Sequence, residues 1–258
     1  MNIKNKMETG QFMIDEELQQ ITFTDQRFYK NEETGEYYPS ASTILEAYPK
    51  TAQFYEWLKQ NGENADNIRD EAGVRGSKVH KFCEDYDNGE EVSFFKGDGT
   101  IGCDTRTWKM FEKYVEFSNK YKPTVLYNEL SLCSRDLGYG GTLDRIINLE
   151  GKNYLLDIKT SNSLHNHYWL QMASYVHLFN DQVKPDFNID GIVILWLNAK
   201  TRTEGKAGSY QGKGWQMVFP ENDISYYFNL FQHTKALWME ENGAYRPNNS
   251  TYKLAHKK

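Results

Sequence analysis

The run Tyr154-Leu-Leu-Asp-Ile-Lys-Thr-Ser161 has the apolar, branched composition of a core strand, yet carries an acid and a base two residues apart. Strand side chains alternate between faces, so Asp157 and Lys159 share one face while Leu156 and Ile158 take the other. The preceding run, Tyr139 to Leu149, also reads as a strand, and the Glu150-Gly151 step separates the two. If the turn over Leu149 to Lys152 holds two or four residues, residues whose numbers sum to 301 face each other, which sets Asp144 opposite Asp157. An odd-length turn undoes this register. Directly opposed carboxylates are destabilising, and burial sharpens the penalty, so a proton, a lysine or a cation must neutralise them. Lys159 supplies one positive charge for two acids, and a hard divalent cation with oxygen ligands is the natural second partner.

The chain around this pair changes period midway. After Tyr38-Pro-Ser-Ala-Ser-Thr-Ile-Leu45, where Ser40 or Ser42 can cap, helical spacing runs through Ile44, Leu45, Tyr48, Phe54, Trp57 and Leu58 to Asn61-Gly62. A second helix is expected over about 64 to 88. A third is expected over about 104 to 121, its buried side marked by Trp108, Phe111, Tyr114, Val115 and Phe117. Strands follow at 125–133, 139–149 and 153–160, then a helix at 167–180, strands at 191–198 and 214–219, and a closing helix over 222–242. The expected fold is α/β: a mixed central sheet flanked by helices, preceded by an N-terminal helical subdomain. The expected divisions are an irregular or hairpin-like acidic lead-in (1–36), a helical subdomain carrying His80 (37–122), the core (123–245) and a basic tail (246–258).

The net charge of −6 argues against a generally polyanion-binding surface, but eight acids and four bases fall within residues 1–36, so the rest is nearly balanced. Lys200, Arg202, Lys206 and Lys213, with Tyr210 and Trp215 interleaved, form a basic turn region suited to backbone phosphates and unpaired bases, or equally to solvent. Trp57, Phe54 and Trp108 fit a core better than a stacking platform. Cys83, Cys103 and Cys133 are widely spaced and lack a C-x-x-C pair, so neither a disulfide framework nor an iron–sulfur cluster is expected. No apolar run is long enough for a membrane span and the first residues show no apolar leader, so a membrane is not expected as a partner and the expected location is intracellular and cytoplasmic.

Taken in order, Arg75-Gly76-x-x-x-His80, Gly141-x-x-Asp144, Asp157-Ile-Lys159 and Gln171-x-x-x-Tyr175 resemble the PD-(D/E)XK nuclease superfamily in its RecB-type branch. The Tyr38 to Leu45 stretch and the Trp196 to Trp215 hairpin are similar to phage-encoded single-domain exonucleases related to mitochondrial genome-maintenance exonucleases. The resemblance covers roughly residues 38 to 220. It implies a restriction-endonuclease-like core and a deoxyribonuclease dependent on Mg²⁺ or Mn²⁺. It further implies that His80, Asp144, Asp157 and the Ile158 carbonyl hold metal, that Lys159 assists the attacking water, and that Gln171, Tyr175 and Arg75 meet substrate. Implied partners are linear or single-stranded DNA ends and a recombination or single-strand-binding protein, in a bacterial host cytoplasm for a phage-encoded chain. The literal Pro-Asp of the superfamily is Leu143-Asp144 here. Glu129 is either a third carboxylate near the metals or an exposed strand acid, and Glu84, one helical turn from His80, lies near the site or on a solvated face. His165 and His167 invite a zinc reading, which the oxygen-rich set at the strands disfavours. Competing expectations are a non-catalytic nucleic-acid-binding or recombination module on the same fold, and an enzyme acting on small phosphoesters.

Overall fold

The N-terminal segment expected to be an irregular lead-in or short hairpin forms a four-stranded antiparallel meander. Its strands are β1 (Phe12–Asp15), β2 (Gln20–Phe23), β3 (Gln26–Lys30) and β4 (Tyr37–Pro39). The computed structural model describes residues 12–15, 20–23, 26–31, 34–202 and 210–242, with side chains over 26–31, 34–198 and 214–242. Strands of three to five residues hold too few alternations for a period of two to stand out in sequence. The meander is tied down at its second half. Phe28, Tyr29, Tyr37 and Tyr38 are buried, the Tyr29 hydroxyl lies 2.9 Å from Thr142 Oγ1, and Asn31 Nδ2 donates to the Cys133 carbonyl.

Helix α1 (Ala41–Ile44) starts at Ser40, whose Oγ accepts the Thr43 N–H at 3.0 Å. The expected single helix to Asn61 is broken. A short 3₁₀ turn, Leu45–Ala47, gives way to extended backbone at Tyr48 (ψ 133°), because a residue before proline is driven out of the helical region. The chain restarts as α2 (Ala52–Asn61) under a Thr51 cap, and none of its residues is buried. Phe54, expected in the core, is 37% exposed and stacks on the half-buried Trp57 at the surface. Helices α3 (Asn64–Asp87) and α4 (Thr105–Tyr121) fall where the pattern puts them, α4 capped by the Asp104 carboxylate on the Arg106 and Thr107 N–H groups.

The main sheet has five strands in the order β5 (Thr124–Ser134), β6 (Tyr139–Leu149), β7 (Lys152–Lys159), β8 (Gly191–Arg202) and β9 (Tyr210–Val218). All neighbours are antiparallel except β7 and β8, which are joined by the crossover helix α5 (His167–Gln182). The hinge between β6 and β7 is a two-residue turn with positive φ at both Glu150 (52°) and Gly151 (82°), the geometry that matches strand twist. It pairs Leu149 with Lys152, and the expected register runs unbroken from there to Arg145 and Leu156. Helix α6 (Ile224–Asn242) packs against α5, with Tyr227, Phe231 and Trp238 buried.

Two apolar layers sandwich the sheet. On one face Leu143, Ile146, Leu155, Ile192 and Ile194 meet α5, α6, α1 and the meander. On the other, Ile147, Leu156, Ile158, Val193 and Leu195 meet Val79 and Cys83 of α3 and Met110, Phe111, Tyr114 and Phe117 of α4. The helices of residues 64–121 thus share their core with the sheet. The protein is α/β, a five-stranded mixed sheet between helices, and no helix among the described residues is long and apolar enough to cross a membrane.

The meander closes on the sheet at Gly140. A Cβ there would stand 2.5 Å from Tyr29 Cβ and 2.9 Å from the Leu132 carbonyl oxygen, neither of which can yield cheaply. Gly140→Ala is expected to destabilise by about 1–3 kcal/mol in urea unfolding. Gly97→Ala, with open space around it, should change stability by less than about 0.5 kcal/mol. A wild-type urea midpoint for Gly140→Ala would contradict this packing.

Candidate active site

Three acids stand on three adjacent strands. Asn128 pairs with Arg145 and Leu130 with Leu143, which leaves Glu129 of β5 opposite Asp144 of β6. The β6–β7 ladder ends at Arg145 and Leu156, one step short of Asp144 and Asp157. Register therefore brings Asp144 to Asp157 as expected, but the strands do not pair there. Instead, Asp144 Oδ2 accepts the Ile158 N–H at 2.7 Å, doing for that donor what a strand carbonyl would do. Glu129 sits in the left-handed region (φ 45°), a strained conformation for a residue with a Cβ and one that clusters at functional sites.

Helix α3 delivers His80 into this opening. Gly76, one turn earlier, permits the approach: a Cβ there would be 3.3 Å from Thr160 Oγ1. His80 Nε2 lies 3.0 Å from the Ile158 carbonyl, and Nδ1 lies 3.4 Å from Asp144 Oδ2 and 3.7 Å from Glu129 Oε1. Both ring nitrogens face acceptors, which calls for a protonated imidazole. Burial works against that charge, but Asp144 and Glu129 outweigh it and raise the His80 pKa to about 10. Burial also acts to raise Asp144, yet His80, Lys159 and the Ile158 N–H together hold it at about 2. Asp157 goes the other way. Burial, opposed by Lys159 and reinforced by the Asp144 charge, pushes it up to about 6.

Lys159 is fixed from three sides. Its ammonium lies 2.6 Å from Asp157 Oδ2, donates to Gln171 Oε1 at 3.2 Å, and sits 4.5 Å over the Tyr168 ring. Gln171 in turn donates from Nε2 to the Tyr175 hydroxyl at 3.1 Å. The Tyr175 ring packs so closely on Gly141 that a Cβ there would collide with it. The sequence-predicted residues Gly141, Asp144, Asp157, Lys159, Gln171, Tyr175 and His80 are therefore brought together.

Within this group, His80, Glu129 and Asp144 each offer a ligand atom, all within 4.8 Å of one another. Glu129 Oε1 is buried and has no hydrogen-bond partner. Two carboxylates and an imidazole are donors that a hard divalent cation could accept. Glu129, left open in the sequence reading, belongs to this cluster. Asp157 does not, its carboxylate being turned to Lys159, and the Ile158 carbonyl is engaged by His80.

Other candidates part from the cluster. Glu84 pairs with Lys81 at 3.1 Å. Arg75 is half-buried, with an unpartnered Nε. Lys206 lies outside the described residues, as do the side chains of Lys200, Arg202 and Lys213 on β8 and β9. Trp215, read as a partner for unpaired bases, packs instead against Phe117 and Tyr121 with Lys120 over its ring. His165, on the loop into α5, and His167, its first residue, lie together and do not join His80.

Behind the acids lies a charge network that the sequence reading did not single out. Arg145 is fully buried, its Nε 2.6 Å from Asp87 Oδ2, its guanidinium 5.1 Å from the Tyr114 ring centroid, while the Tyr114 hydroxyl donates to Asp87. Arg145 Nη1 comes within 3.9 Å of Glu129 Oε1, so the network touches the acidic row. The available signal was a second charge, Arg145, in a strand already carrying Asp144. No protein-family model matches the chain, and no curated protein matches it.

Removing one partner of this buried pair strands the other. Arg145→Leu is expected to cost about 3–5 kcal/mol, and Arg145→Leu with Asp87→Leu should recover part of that loss in thermal denaturation. A double variant destabilised by the sum of the Arg145→Leu and Asp87→Leu losses would show that the pair is not coupled.

Proposed function

We propose that the protein is a divalent-metal-dependent deoxyribonuclease with a restriction-endonuclease-like core, working as an exonuclease on free or single-stranded DNA ends. The observation that carries this reading is the row Glu129, Asp144 and Asp157, with His80 and Lys159, at the point where the β6–β7 ladder opens. Its support is threefold: the ordered motif resemblance, the hard donor set, and a buried Glu129 carboxylate oxygen that accepts no hydrogen bond.

In this reading His80, Glu129 and Asp144 hold Mg²⁺ or Mn²⁺, with Asp157 and the Ile158 carbonyl beside them. When bound, the ion polarises a phosphoryl oxygen and acidifies a water molecule. The chain's own groups do the rest. Lys159, with Asp157 and Gln171 as partners, presents a fixed ammonium where negative charge grows on the phosphate. Gln171 is oriented by Tyr175, so the lysine's direction is set before substrate arrives. His80 must give up a proton to become a ligand.

Asp144→Asn, Asp157→Asn and Lys159→Ala are each expected to lower cleavage of end-labelled linear DNA by about 100-fold or more while circular dichroism stays native. Circular DNA should persist under conditions that digest linear DNA. Wild-type rates in these variants would sink the site assignment, digestion of circles at the linear rate would sink the exonuclease claim, and binding of DNA without cleavage would favour a non-catalytic module.

Metal binding carries its own signature. With His80 protonated up to about pH 10 in the metal-free protein, Mn²⁺ binding at pH 7 should release roughly one proton, and affinity should rise with pH across the neutral range. Isothermal titration in buffers of different ionisation enthalpy measures this. Wild-type proton release by His80→Ala would remove His80 from the ligand set.

A further inference from the structure

A chain of aromatic rings leads away from Lys159. The ammonium sits over Tyr168, which meets His167 edge-on with centroids 4.7 Å apart, and His167 lies nearly parallel to His165 (9°, 5.5 Å). His165 also abuts Tyr168 at 5.4 Å, and Tyr48, at the Pro49 bend, approaches His167 at 6.2 Å. The rings come from two separate segments, the loop leading into α5 with its first turn and the break between α1 and α2. His165 is exposed, and Tyr48, His167 and Tyr168 are half-buried.

Their electrostatics are those of flat, uncharged faces between cations. Burial lowers the His167 pKa to about 4, helped by His165, Lys50 and Lys159, and burial with Lys50 lowers His165. Lys50 itself is exposed, one residue before the cap of α2, so Phe54, also exposed, follows within about one helical turn of it. Neutral rings with an ammonium group at either end suit an unpaired base with its phosphates, since every base offers a π-face for stacking. In a duplex that face is already stacked on its neighbours.

We propose that Tyr168, His167, His165 and Tyr48 form a stacking subsite for an unpaired base of the DNA strand being cut, next to the phosphate at Lys159. The proposal rests on the nuclease reading and narrows its substrate to a single-stranded or frayed end.

The test compares two fluorescein-labelled 12-nucleotide strands of equal charge, one of oligothymidylate and one entirely abasic, by anisotropy with Ca²⁺ in place of Mg²⁺. The proteins are the wild type, His165→Ala alone, and His165→Ala with His167→Ala. The single variant, at an exposed ring, guards against misfolding of the double. The double variant should bind oligothymidylate about tenfold or more weaker and the abasic strand less than about twofold weaker, with the single variant in between. Equal losses on both strands, or no loss on either, would overturn the subsite while leaving the nuclease reading intact. Failure of the wild-type protein to bind either strand would overturn both.

Discussion

One hydrogen bond organises the candidate site: the Asp144 carboxylate accepting the Ile158 N–H. It replaces the next step of the β6–β7 ladder, so the two strands part beyond Arg145 and Leu156 without leaving a buried donor unpaired. The same substitution frees the Ile158 carbonyl to face His80 from α3. It also turns Asp144 out of the alternation that its strand follows elsewhere: Leu143 and Ile146, three residues apart, reach the same apolar layer. The opening makes a polar notch between two apolar layers, where the buried carboxylates of Asp144 and Asp157 meet His80 and Lys159.

The charges in the notch are close to balance but not at it. Glu129, Asp144, Asp157 and Asp87 contribute four carboxylates, against Lys159, Arg145 and a protonated His80. In the proposed metal-bound state His80 is neutral, and two positive charges remain against the four acids, a deficit equal to one divalent cation. Arg145 cannot serve in its place, because its Nε is committed to Asp87 and its side chain is enclosed by Tyr114 and the α3 layer. The buried arginine instead brings its Nη1 to within 3.9 Å of Glu129 Oε1, the oxygen that also faces His80 at 3.7 Å.

Much of this was legible in the sequence, and the reasons differ by element. The Glu150-Gly151 turn fixed the register because a two-residue hairpin admits only one pairing, and a Gly there accepts the positive φ the turn needs. The amphipathic spacing of α4 gave that helix to within a residue. The meander was hidden because its strands are short, and β3 and β4 bury their aromatics against segments far along the chain, Thr142 and Cys133 among them. Glu129 was ambiguous because strand alternation alone cannot reveal a left-handed residue in mid-strand. The Asp87–Arg145 pair joins residues far apart in sequence, and no local pattern links them. The break at Tyr48 was different: Pro49 announced it, and the apolar spacing on either side drew attention away.

The placement of Lys159 follows from topology. β7 and β8 are parallel, so the chain must leave the carboxyl end of β7 and cross one face before it can return as β8. That crossover is α5, and its first turns bring Gln171 and Tyr175 beside the last residues of β7, where crevices in such sheets form. His80 reaches the same residues from the opposite layer. A group held jointly by α3 and α5 can meet only where the sheet between them is open, which is the opening that Asp144 creates by taking the Ile158 N–H. The apolar sandwich and the polar notch are thus set by the same few residues, and neither layer alone could assemble the site.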